Sequence, residues 1–156
     1  AACSNDTGFR HFSLVDADHV ALHAHGSPEA TLAADGQLAI GGKPVALTPA
    51  QQSLLKDYHA GVLAMVHDAT ATGAAGMATA ATALGAVASG LASGDTQSID
   101  AKVDAKAAQV EAAAMRVCAD LAMLRDKQET IVAQLPAFAP YATIGADEAS
   151  GCSSQS

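Results

Sequence analysis

Two stretches between Thr48 and Leu135 carry apolar residues every seven positions, and this repeat constrains the fold more than any other feature of the chain. On the first, Leu63, Thr70, Met77, Leu84 and Leu91 recur, with Val66, Gly73, Ala80 and Val87 between them. On the second, Val103, Val110, Val117, Leu124 and Ile131 do the same, interleaved with Ala107, Ala114, Leu121, Gln128 and Leu135. A seam held over four heptads predicts helices that pair side by side. Ser93-Gly94-Asp95 between them leaves room only for an antiparallel return. A helical hairpin over 48–135 follows. From Ala69 to Gly94 there is no charged residue, but Ala, Gly, Thr and Ser dominate, so the stretch reads as a tightly packed helix rather than a membrane span. Gly73, Gly85 and Ser89 are expected to let a neighbour approach closely, and the glycines leave a break in the first helix open.

Ahead of the hairpin the period changes to two, the period of a strand. Phe12 and Leu14 alternate with His11 and Ser13, and Val20, Leu22 and Ala24 alternate with Ala21, His23 and His25. An odd-length turn at Asp16-Ala17-Asp18 keeps both apolar sets on one face. Ala34-Asp35-Gly36 fits a three-residue hairpin loop that pairs Leu32 with Leu38, and Gly41-Gly42 fits a two-residue turn that sets Leu38 opposite Val45. The expectation is an α+β protein. Residues 9–47 form an antiparallel meander of four or five short strands, packed on the hairpin at 48–135, within one domain at 9–142. Residues 1–8 form a linker and 143–156 a tail.

Thr48-Pro49-Ala50-Gln51 is a capping box with Pro in the first helical position. Leu55, Tyr58, Val62, Met65 and Ala69 then make one stripe, expected to dock on the sheet, while the seam from Leu63 onward pairs with the second helix. Pro136 and Pro140 end that helix.

Cysteine usage points outside the cytoplasm. Cys3 follows Ala1-Ala2 and precedes a polar stretch, which looks like the end of a bacterial lipobox whose cysteine carries lipid. Cys118 and Cys152 remain as an even pair, suited to one disulfide in an oxidising compartment; two free thiols in a cytosolic protein are the alternative. The expected location is the periplasm, with tethering to the outer membrane through lipidated Cys3. A net charge of −8 argues against nucleic acid, which demands clustered Lys and Arg, and is compatible with a basic protein partner.

The run from Gly36 to Thr48, GQLAIGGKPVALT, followed by Gln51, Leu55, Tyr58 and His59, resembles the YggN-type family of uncharacterised bacterial periplasmic proteins. Cys118-Ala119-Asp120-Leu121, Glu129, Leu135-Pro136-Ala137-Phe138 and Pro140-Tyr141-Ala142 are similar too. The resemblance covers about half of the chain. It implies an exported protein with a sheet-plus-helices fold and brings no activity to transfer. A lipidated Cys3 departs from the plain secretory leader of that family.

No catalytic signature is present: there is no Gly-x-Ser-x-Gly elbow, His-Glu-x-x-His pair, phosphate-cradling loop or calcium loop. The expected function is therefore non-enzymatic and needs no cofactor. His23 and His25 share a strand face, with His11 across the hairpin, and three imidazoles on one face could hold zinc or copper. A solvated polar face explains the same pattern. The second helix keeps Ala105, Ala108, Ala112, Met115, Ala119, Ala122 and Met123 away from its seam, although the outer side of a two-helix hairpin is ordinarily charged. Met115, Ala119 and Met123, with Met77 on the first helix, are the candidate partner-binding residues. The partner is a protein, with a basic toxin or cell-wall hydrolase neutralised by an immunity protein as one form, or a second copy of the chain. A structural envelope lipoprotein is a further alternative.

Overall fold

The computed structural model describes residues 12–94 and 97–146, with 74–91 and 98 described by backbone alone. Five strands form one antiparallel meander in the order β1-β2-β3-β4-β5: β1 Phe12–Leu14, β2 His19–Leu22, β3 Ala30–Ala33, β4 Leu38–Ile40 and β5 Lys43–Pro44. Leu32 pairs with Leu38, and the Val45 N–H donates to the Leu38 carbonyl at 2.8 Å, so both expected hairpin registers hold. The register aligns Phe12, Leu22, Ala30 and Ile40 in one row, and Leu14, Val20, Leu32 and Leu38 in the next, all on one face. Phe12, Leu22, Ala30, Val20, Leu32 and Leu38 are buried. Leu14, expected with them, is 43% exposed. It ends the edge strand beside the open 15–18 turn, where cover has run out.

Each turn uses local chemistry. Asp16 accepts from the Asp18 N–H at 2.8 Å and pairs with His19 Nδ1 at 2.9 Å. The His19 hydrogen bond, then that backbone N–H, hold the Asp16 carboxyl below its ordinary value. Gly41 and Gly42 both have positive φ, 55° and 77°, as a tight two-residue hairpin requires.

Helix α1 (Pro49–Ser93) is continuous, so the glycines do not break it. Its capping box is formed in both directions: the Gln51 N–H donates to Thr48 Oγ1 at 3.2 Å, and the Thr48 N–H donates to Gln51 Oε1 at 2.9 Å. Helix α2 is Gln97–Gln134, and its end runs antiparallel to the start of α1, with Gln134 against Gln51 and Lys127 against Asp57. The chain divides into two units, Ala1–Leu63 with Leu121–Ser156, and Ala64–Asp120, and both helices run through both.

In the first unit, the start of α1 meets the sheet and the end of α2 together. Gln52 Nε2 donates to the Asp35 carbonyl at 2.9 Å, tying α1 to the β3–β4 turn. Gln51 Nε2 donates to the Gln134 carbonyl at 2.7 Å, satisfying one of the acceptors that a helix C-terminus leaves open. Lys127 Nζ donates to the Asp57 carbonyl at 3.1 Å. The close approach occurs at Gly61, where a Cβ would lie 2.9 Å from Leu124 Cδ2. It does not occur at Gly73, which has no such neighbour within 4 Å, while Gly85 and Ser89 fall among residues described by backbone alone.

Of the seam expected on α1, Leu63 and Val66 are half-buried while Thr70 and Gly73 are exposed, and Met77, Ala80, Leu84, Val87 and Leu91 lie where side chains are not described. The buried face over the described part runs instead through Leu55, Tyr58, Val62 and Met65, followed by half-buried Ala69 and Thr72. The large side chains at 55, 58, 62 and 65 set which face turns inward, and the Thr and Gly of the heptad series lack the apolar area to compete. The same stripe therefore serves the sheet and, in the first unit, the returning helix. On α2 the expected seam holds: Leu124, Gln128, Ile131 and Leu135 are buried, and Val103, Val110, Ala114, Val117 and Leu121 are half-buried, with Ala107 the exception.

After α2 a 3-10 segment, Pro136–Tyr141, turns back over the core. Phe138 is buried edge-on against Tyr58, with ring centroids 5.6 Å apart, and the Tyr141 hydroxyl donates to the Pro28 carbonyl at 2.5 Å. The two prolines thus stop α2 and also place two aromatic anchors against the core.

Candidate functional site

Two buried polar constellations and one exposed face are the places where this fold could carry function. The first constellation centres on Gln128. Its Oε1 accepts from the Tyr58 hydroxyl at 3.2 Å and from the Ile144 N–H at 3.5 Å, and its Nε2 donates to the Ile144 carbonyl at 3.4 Å. Burial pushes the Tyr58 hydroxyl well above its ordinary pKa, so it stays a neutral donor. Every group here is used in holding the C-terminal segment to α2, which makes the cluster a structural latch. His59, next to it in sequence, is buried with Nε2 unpartnered. Beyond the latch lies an open groove of about 490 Å³ beside Arg125, Glu129, Val132, Ala142 and Ile144. Arg125 and Glu129 pair at 2.9 Å, so the groove offers no uncompensated charge to a ligand.

The second constellation lies in the other unit. Asp120 on α2 faces Asp68 on α1, and its carboxyl is raised by desolvation first, then by the Asp68 charge and hydrogen bond. Asp120 Oδ2 is buried without a hydrogen-bond partner. His67 Nδ1 stands 3.4 Å from Asp68 Oδ1. Two facing carboxyls can share a proton. This pair was not singled out from the sequence, although counting back from the hairpin connection in both directions would have placed Asp68 opposite Asp120.

The histidine face is only partly visible. His11 lies outside the described residues; His23 is half-buried and His25 exposed. His23 Nε2 is 2.9 Å from Ser13 Oγ and Nδ1 is 3.3 Å from Glu29 Oε2, so both ring nitrogens are engaged. Among the described residues, no group of three metal-ligating side chains is gathered. Cys118 is half-buried and disulfide-bonded; Cys152 and Cys3 lie outside the described residues.

The outer face of α2 is open. Ala105, Ala108, Ala112 and Ala119 are exposed, and Met115 is 65% exposed. Further along the helix Ala122 is exposed and Met123 is 52% exposed. Met77 lies where side chains are not described. Among the described residues no helix is long and apolar enough to cross a membrane.

Residues 13–99, more than half of the chain, match DUF2884, a family described as proteins of unknown function. The chain belongs to that family. The match takes in the meander and α1, the part whose turns and capping box are most sharply written in the sequence. Neither the curated proteins nor the solved structures contain a match.

Proposed function

We propose that this member of the DUF2884 family is a non-enzymatic binding protein of the YggN type, held in the periplasm by lipid on Cys3, that docks a protein through the outer face of α2. The carrying observation is the exposure of that face. A soluble helix whose outer side presents Ala and Met, with Met115 65% exposed, leaves apolar area in water that a partner would cover. Met suits such a surface because its unbranched thioether adapts to a partner's shape. The acidic balance of the chain, −8, favours a basic partner such as a toxin or hydrolase held by an immunity protein. The buried polar groups do not favour an enzyme: the Tyr58–Gln128 cluster is spent on packing, and Asp68 and Asp120 are joined by no nucleophile among the described residues.

Capture from periplasmic extract by the immobilised protein, with Met115→Lys as the control, tests the reading. Wild type is expected to retain a partner or a second copy of itself, and Met115→Lys to lose it while keeping its helical content. Equal capture by both proteins, or by neither, overturns it.

A further inference from the structure

The outer face of α2 has the spacing of a second seam. Ala101, Ala105, Ala108, Ala112, Met115 and Ala119 recur at alternating steps of four and three, and all six are exposed. Each stands two positions before or after Val103, Val110 or Val117 of the inner seam, about 200° round the helix in one direction or the other. Charges flank this outer seam asymmetrically: Asp104 and Glu111 run along one edge, Lys102 and Arg116 along the other, and all four are exposed. Among the described residues none of the four has an ion-pair partner.

We propose that this face pairs with the same face of a second copy, α2 beside α2, parallel and in register. The proposal rests on the reading of the outer face as a docking surface and names its occupant. The flanking charges select both the partner and its direction. In a parallel pair, a residue on one edge of the seam meets the residue five positions further on along the other helix. Glu111 then faces Arg116 of the second copy, and two-fold symmetry makes the contact twice. An antiparallel pair would bring the Lys102–Arg116 edge against itself and the Asp104–Glu111 edge against itself, like charge on like. An unrelated partner would have to supply the complementary pattern, whereas a second copy carries it already. The alanines let the two backbones approach to the short end of the usual 8–10 Å helix separation, and Met115 packs against its mate toward the C-terminal end of the seam.

Sedimentation equilibrium of the full-length, oxidised protein across concentration, at low and at high salt, reads the outcome. Wild type is expected to dimerise, more weakly as salt rises. Glu111→Arg should weaken the dimer by ~10-fold or more, since it places like charges together at two symmetric positions. Adding Arg116→Glu to that variant should restore the affinity. Ala112→Cys, an exposed position that the monomer does not pack, should form a symmetric disulfide-linked dimer. A protein that stays monomeric throughout overturns the proposal, as does a double variant no better than the single, or a dimer that Ala112→Cys fails to link. If the protein is monomeric yet Met115→Lys abolishes capture of a foreign protein, the pairing fails and the docking reading stands. If Met115→Lys changes neither assembly nor capture, both fail.

Discussion

At the scale of single residues, Gly36 is held to its identity twice over. Its φ of +86° is one that side-chain-bearing residues rarely adopt, and a Cβ there would overlap the Gln52 carbonyl oxygen on α1. Gly36→Ala should therefore cost about 2 kcal/mol or more in chemical denaturation, against no comparable loss at Gly73→Ala, which meets nothing. Asp120 makes a prediction of opposite sign. Its carboxyl is raised in the folded state, so folding is penalised once pH rises from the unfolded carboxylate range through the folded value, and the penalty is fully present above it. Asp120→Asn should raise the melting temperature at neutral pH and flatten its acid dependence. A variant that melts lower at pH 7 and retains the same pH profile would show that the pair with Asp68 is favourable. The sequence announced Gly36 through its turn but was silent on Asp120, because the facing of two carboxyls depends on helix register.

At the scale of elements, Gln51 joins two. Its backbone and Oε1 complete the capping box of α1, while its Nε2 closes the end of α2. Thr48→Ala should cost about 1 kcal/mol as a lost N-cap, and Gln51→Ala roughly 1–2 kcal/mol because a second helix end is freed with it. Equal losses in urea denaturation would mean that the Gln134 contact contributes nothing. The cap was legible because its chemistry is local, and so were the meander's registers, which follow from turn length and the period of two. The phase of the described part of α1 was not. Its heptads run through Thr70 and Gly73, residues without enough apolar area to define a face, and the phase was decided by Leu55, Tyr58, Val62 and Met65 instead. The 3-10 segment escaped for a similar reason: Pro136 and Pro140 mark a stop, but nothing local says that Phe138 will lie against Tyr58.

At the scale of the molecule, the proposals are a covalent tie from Cys118 to Cys152, a lipid tether at Cys3 and a docking face on α2. Pairing Cys118 with Cys152 would close a loop of ~34 residues and contribute roughly 3–4 kcal/mol in the chain-entropy view. Non-reducing peptide mapping of protein from an oxidising compartment should recover that linked pair, and finding Cys152 as a free thiol would exclude it. Expressed with an export leader, the protein should fractionate with membranes and Cys3→Ser should release it; a wild type already soluble after export would remove the tether. The exposed face was readable from the sequence as a surplus of Ala and Met opposite a seam, since helical periodicity alone separates the two faces of α2. What covers that surplus was not, because the exposure of the flanking charges at Lys102, Asp104, Glu111 and Arg116 is seen only once the inner seam of α2 is packed. The central claim is that the outer face of α2 is occupied in the cell. Replacing Met115 with a photo-crosslinking amino acid, and exposed Lys56 on α1 as the control, tests it directly. Irradiation of living cells should give a discrete adduct from position 115, at the mass of two chains or of one chain plus one partner, and none from position 56. An absence of any adduct at 115, or the same smear from both positions, would contradict it.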